Sequence, residues 1–393
     1  MKTELAYVII NPYSISKSRT GGIIARYLNR TGLNLVGAHM FGPGAELTKE
    51  FAKIVHGGNA IKKEDASILA DYILRTYMPN PKTGNRKRAL MLLFEGEDAI
   101  EAVKKVTGPL HTNMEAGETI RDTFGDFIVN NENNIVYVEP AVLVGHSKES
   151  TAQVLHLWSA HEEADAGIID NADDISSAQD SERTLVLIKP DNFRFPNTRP
   201  GAIIDMFSRS GLRIVGVKLH RMSCAEAEEF YGPVRQVLRE KLRDMVASKA
   251  VAAIEERLNI KLPAEIETQI GTLVAPVFGD QQFSDIVHFM TGCRPDKCPS
   301  EQKSDSGSER CLALVYAGKD AVNIIRSILG PTDPTKASAG TVRRELGQSI
   351  MVNAAHASDS PENAKREIKI INFDVPNVSR LTELYYPAQA EKD

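Results

Sequence analysis

Residues Gly201–Met222 read GAIIDMFSRSGLRIVGVKLHRM, and residues Gly21–Phe41 read GGIIARYLNRTGLNLVGAHMF. In both, helix-spaced apolar residues lead through a glycine turn into an apolar run. That is an amphipathic helix followed by a strand. The match extends outward from this pair. Ala6–Ser14 (AYVIINPYS) resembles Thr184–Asn192 (TLVLIKPDN), and Ala89–Val103 resembles Leu312–Ile325. Gly117–Asn130 resembles Gly340–Asn353, and Gly145–Ser150 (GHSKES) resembles Ala355–Ser360 (AHASDS). Five blocks in one order mean two copies of one domain.

Each copy reads β-α-β-β-α-β, with single helices between strands. The expected fold class is α/β (α+β): two ferredoxin-like α/β sandwiches with antiparallel sheets. The divisions expected are a first copy over 1–158, an acidic linker over 159–182 and a second copy over 183–393. The linker is rich in small residues and poor in aromatics, which predicts partial mobility. The second copy carries a helical insertion at about 232–281, including VRQVLREKLRDMVASKAVAAIEERL. It is expected to pack against the first copy or to cover a ligand, with packing favoured for an apolar helical stripe.

The chain has 393 residues, 47 Lys and Arg against 52 Asp and Glu, and a formal net charge of −5. This balance excludes a general polyanion-binding role and predicts no specific nucleic-acid partner. The N-terminal residues lack a signal-like apolar run, and no stretch is long enough for a membrane span. A cytoplasmic location is expected. Four cysteines in this length do not make a disulfide scaffold.

The chemistry concentrates in Asn353–Ile368, NAAHASDSPENAKREI. Ser360-Pro361 reads as an N-cap followed by proline at the first helical position, so a helix is predicted from Pro361 to about Ile371. His356 then lies just before a helix N-terminus, a place that favours anions. Glu367 lies on that helix and can fold back to the imidazole. A carboxylate on one ring nitrogen fixes the tautomer for attack by the other. No Gly-x4-Gly-Lys-Ser/Thr loop is present, so phosphates must be held by separate side chains. Lys189 suits a point contact at the end of the Leu185–Ile188 strand, and the forked guanidinia of Arg326 and Arg343 suit phosphate oxygens.

These segments resemble the nucleoside diphosphate kinase family. The carrying motifs are Lys189-Pro190-Asp191, Arg326 with Thr332, Gly340-Thr341-Val342-Arg343, and Asn353 through Ser360. The likeness spans about Arg183 to Phe373. It implies nucleoside diphosphate kinase activity, in which Nδ1 of His356 takes the γ-phosphoryl group of a nucleoside triphosphate and passes it to a nucleoside diphosphate. It further implies Lys189 and Tyr231 near the transferred group, and Arg326, Thr332 and Arg343 on the other phosphates. Asn353 meets the sugar hydroxyls, and Glu367 and Ser358 support the histidine. Mg²⁺ bridges the phosphates, with Asp359 at most a water-mediated neighbour. A homo-oligomer is implied too; three tandem chains would build a six-domain ring.

Two positions depart from the family. Ala357 replaces a glycine, a change of one methyl group that is expected to be tolerated. The aromatic base platform aligns with Gln282, leaving adjacent Phe283 as the candidate, with core packing as its competing reading. The first copy departs further: Asn11 stands for Lys189, Lys104 for Arg326 and Leu110 for Thr332, while Arg121 matches Arg343. Setting His146 against His356 puts Leu143 against Asn353 and Leu157 against Glu367, a poor phosphoryl acceptor. Cys293, Cys298 and Cys311, with His288 upstream, could hold zinc, but the spacing is not C-x2-C and free thiols are favoured. The rival to the enzyme is a nucleotide-sensing regulatory protein with little turnover.

Overall fold

A computed structural model describes residues 3–111, 117–132, 135–172 and 182–388. Its strands are β1 (Thr3–Ile10), β2 (Asn34–Phe41), β3 (Ala89–Glu97), β4 (Asp126–Val129), β5 (Ile135–Glu139), β6 (Val142–Val144), β7 (Glu182–Ile188), β8 (Arg213–His220), β9 (Cys311–Gly318) and β10 (Ala355–Ala357). β4 and β5 form a separate hairpin; the others make one sheet in the order β10-β7-β9-β8-β2-β3-β1-β6. The first copy therefore runs β6-β1-β3-β2 and the second β10-β7-β9-β8, which is the ferredoxin-like order, antiparallel throughout the named pairs.

Strand β1 is apolar on both sides because both faces are covered. Ala6, Val8 and Ile10 face one core. Leu5, Tyr7 and Ile9 face the other. The helix Thr20–Thr31 buries Ile23, Ile24, Tyr27 and Leu28 against the first of these. Helices Ala45–Gly57, Lys63–Tyr77 and Lys148–Ala160 cover the opposite face around Trp158.

The two copies meet along the β2 and β8 edges, where His39 pairs with Lys218. Above that seam the helices Thr20–Thr31 and Arg199–Ser208 cross backbone to backbone. A Cβ on Gly21 would come within 2.5 Å of the Gly201 carbonyl, and one on Gly201 within 2.3 Å of the Gly21 carbonyl. Only glycine at both positions permits this approach.

The acidic stretch expected to be a mobile linker is built into the fold as far as Ala172. Glu162 is 3% exposed. It accepts the Nδ1 contact of His39 at 2.8 Å and the backbone N–H groups of Asn377, Val378 and Ser379 at 2.7–2.8 Å. It thus caps the helix Val378–Tyr385, whose Leu381 joins the first copy's core. Backbone hydrogen bonds run from Gly167 to Met40 and from Ile169 to Val215. Composition suggested mobility because a capping carboxylate and a solvated one look alike in sequence. The rest of that stretch, 173–181, lies outside the described residues.

Contacts divide the chain into two units, one of Met1–Leu219 with Leu312–Asp393 and the other of His220–Cys311. The second is wider than the insertion expected at 232–281. It holds three helices, Cys224–Lys241, Arg243–Leu258 and Ala264–Thr291. Arg235 and Arg239 both clasp Asp280 within it, at 2.8 and 2.6 Å. No helix among the described residues is long and apolar enough to cross a membrane.

Candidate active site

His356 sits in the middle of β10, opposite Leu187. Ser360 caps the following helix by accepting from the Asn363 N–H at 3.1 Å, and that helix spans Pro361–Ile371. Eleven residues on, Glu367 is brought back under the ring, with its Oε2 2.9 Å from His356 Nε2. Ser358 donates to the same oxygen at 2.7 Å. Glu367 is buried, which keeps water from competing for it. An ionised Glu367 accepts from Nε2–H and so selects the tautomer whose lone pair is on Nδ1.

Lys189 leaves the end of β7 and donates to Asn353 Oδ1 at 2.7 Å and to the Met351 carbonyl at 3.1 Å. Asn353 is buried and donates in turn to the carbonyls of Thr332 and Ile350. Arg343 donates to Gly330 O at 2.9 Å and to Ala355 O at 3.1 Å, beside the histidine. Burial, and then the Arg343 charge, lower the Lys189 ammonium to about 8. The nearby Asp191 carboxylate works against this shift without cancelling it.

The structure thus brings Lys189, Asn353, Thr332, Arg343, His356, Ser358 and Glu367 together. Arg326 is exposed on the last turn of the helix Ala321–Leu329. Asp359 is exposed and accepts from Asn363 Nδ2 at 2.6 Å. Tyr231 lies in the helical unit, buried and packed on Phe230 at 4.9 Å between ring centroids. Phe283, the candidate base platform, is also in that unit but is 4% exposed. The Arg235 guanidinium covers its ring at 5.3 Å. A ring this buried, with a cation over one face, fits the competing reading of core packing.

Two supports escaped the sequence reading. Asn192 is buried and donates to the carbonyls of Lys189 and Ala354, at 3.0 and 2.8 Å. Arg199 fixes it through Oδ1 at 3.0 Å. The only signal was an amide directly after Lys-Pro-Asp. Ala354 itself has φ of +69°, a left-handed turn that an L residue adopts at a cost.

The same turn recurs at Ala141, φ +60°, and it corrects the alignment of the first copy. Asn11 N donates to Ala141 O as Lys189 N donates to Ala354 O. In the sheet Ile9 pairs with Leu143 where Leu187 pairs with His356. Ser147 caps its helix as Ser360 does. Leu143 therefore stands at the position of His356, and His146 at that of Asp359, three residues from where similarity of GHSKES to AHASDS set it. Asn11 is occupied by Glu139 and Tyr77, at 3.1 and 2.6 Å, and Tyr72 also donates to Glu139. Burial raises the Glu139 carboxyl above its ordinary value. A buried carboxyl and two tyrosines fill the place where the second copy presents an ammonium.

A buried-carboxylate-oriented histidine with a lysine and an arginine nearby, on the edge strand of a ferredoxin-like sheet, is an arrangement suited to anionic groups. The family model described as nucleoside diphosphate kinase matches residues 182–260 and 300–375. A nucleoside diphosphate kinase of Staphylothermus marinus is 31% identical over 194 residues, 49% of this chain and 94% of that protein. One of Halorhodospira halophila is 32% identical over 188 residues, covering 48% of this chain and 90% of its own length. A solved NDP kinase from Pyrobaculum aerophilum aligns at 29% identity and a TM-score of 0.32, over 48% of this chain and 94% of that one. The chain belongs to the nucleoside diphosphate kinase family.

Proposed function

We propose that the second copy is a nucleoside diphosphate kinase, moving the γ-phosphoryl group of a nucleoside triphosphate to a nucleoside diphosphate through His356. Its main support is the Ser358–Glu367–His356 chain, which orients Nδ1 while Glu367 balances the charge that the ring gains. Nδ1 attacks the γ-phosphorus, the bond to the β,γ-bridging oxygen breaks, and the first diphosphate departs. A second diphosphate then attacks the phosphohistidine with a terminal oxygen, the N–P bond breaks, and His356 returns to its resting form. Lys189 and Arg343 oppose the charge on the transferred group, with Arg326 and Thr332 on the remaining phosphates. Asn353 and Lys189 take the sugar hydroxyls. Mg²⁺ arrives with the nucleotide as part of the substrate, and Asp359 is the carboxylate suited to hold one of its waters.

The test is trapping of the phosphoenzyme. Protein incubated with γ-labelled ATP and Mg²⁺, then quenched in alkali, should carry acid-labile label that His356→Ala removes. Tight nucleotide binding with no label in the wild-type chain would replace this reading with a nucleotide sensor.

A further inference from the structure

We propose that Cys224, Cys293 and Cys298 form a mononuclear site for a divalent cation of the zinc class, within the helical unit His220–Cys311. Their three sulfur atoms all lie within 4.8 Å of one another, and all three cysteines are free. Tetrahedral zinc with metal–sulfur distances of about 2.3 Å holds its sulfurs roughly 3.8 Å apart, so small rotamer changes close the site.

Each ligand is fixed by local structure on a different segment. Cys224 is the first residue of the helix Cys224–Lys241, behind the capping box of Ser223 and Glu226. Cys293 follows Gly292, whose φ of +79° ends the helix Ala264–Thr291, and its N–H is held by Thr291 Oγ1 at 3.0 Å. Cys298 closes the turn CRPDKC, which Asp296 and Arg294 tie to the same long helix through Ser284 and Asp285. The cation would staple the start of the unit to its end. Lys303, held by Glu228 at 2.7 Å, supplies a positive charge beside the cluster.

Binding follows one balance: the cation displaces three thiol protons to solvent and gains three metal–sulfur bonds, giving a centre of net charge −1 that Lys303 offsets. A water completes four-coordination. The grouping differs from Cys293, Cys298 and Cys311 with His288. Cys311 Sγ instead lies 3.4 Å from the His220 carbonyl, and His288 is exposed. No sequence spacing pairs Cys224 with a turn 69 residues later; the helical excursion does.

The experiment is metal analysis of untagged, full-length protein purified under reducing conditions. One zinc per chain is expected, falling at least about tenfold in Cys298→Ser and unchanged in Cys311→Ser. Cobalt added to the metal-stripped protein should give thiolate-to-cobalt charge-transfer and tetrahedral d–d bands, both lost in Cys298→Ser. Cys293→Ser repeats the test should Cys298→Ser fail to fold. Wild-type protein with no bound metal and four titratable thiols would overturn the proposal. So would a disulfide within the trio, iron with acid-labile sulfide, or zinc retained by both serine variants.

Discussion

Leu143 stands opposite Ile9 in β6–β1 as His356 stands opposite Leu187 in β10–β7. The first copy therefore has an aliphatic side chain where the second has its imidazole, whatever the nearby His146 suggests. His146→Ala should leave phosphoryl transfer within about twofold of wild type, and His356→Ala should lower it by at least about 10³-fold. A coupled assay of transfer from ATP to a second diphosphate measures both. Activity that depends on His146 would show that the sheet register misleads.

Glu367 acts on Nε2 and not on phosphate, so its removal should spare binding. Glu367→Gln is expected to lower kcat on the order of 10²-fold with little change in KM, because a misoriented nucleophile loses alignment, not affinity. Ser358→Ala should have the same signature in weaker form. Steady-state kinetics separate the two constants, and a dominant rise in KM would count against an orienting role.

Lys189 is lowered to about 8, first by burial and then by Arg343. It is charged below that pH and neutral above it. In the free enzyme kcat/KM should fall by about tenfold per unit as pH rises beyond 8, since the neutral amine no longer attracts the triphosphate. Arginine keeps its proton over this range. The limb should vanish in Lys189→Arg, at whatever absolute rate that variant retains; an identical profile would assign the limb elsewhere.

Burial raises the Glu162 carboxyl, but His39 and three backbone N–H groups outweigh it and leave the group at about 2. A depressed carboxyl stabilises the fold above its ordinary value of 4.5, and that contribution is lost as pH falls towards 2. The difference amounts to about 3 kcal/mol at neutral pH. Glu162→Gln should lower stability by about that order and flatten the acid limb between these pH values. Urea denaturation at pH 7 and pH 3 tests both parts.

Gly201→Ala drives a methyl group into the Gly21 carbonyl. Neither backbone can yield without parting the two crossed helices. A loss of about 3 kcal/mol is expected, the upper part of the usual overpacking range. Denaturant midpoints measure it, with Gly211→Ala, where a Cβ meets nothing within 4 Å but φ is +72°, as the comparison for backbone strain alone.

The second copy was legible because its chemistry lies in short motifs whose geometry is local. Ser360-Pro361 set the helix start, and that start fixed Glu367 eleven residues from its histidine. The first copy misled because Gly-His-Ser resembles Ala-His-Ala-Ser in letters while the chain turns at Ala141. A left-handed alanine has no sequence signature, and the three-residue offset that follows from it is visible only in strand pairing. The acidic stretch read as a linker since nothing local marks Glu162 as the cap of a helix more than 200 residues away. Phe283 drew notice through its aromatic ring, and only the packing reveals Arg235 across its face.

The seam between β2 and β8 has a consequence in mass action. Two separate ferredoxin-like subunits joined as these copies are, by an edge contact, a helix pair and the helix Val378–Tyr385 of one in the core of the other, come apart when diluted below their dissociation constant. Here the partners are tethered, so the effective concentration of one for the other is set by the chain and not by the cell. A half that cannot diffuse away is kept whether or not it reacts with anything. With the joint intramolecular, a first copy that has leucine at the histidine position and asparagine at the lysine position still closes the sheet beside its neighbour.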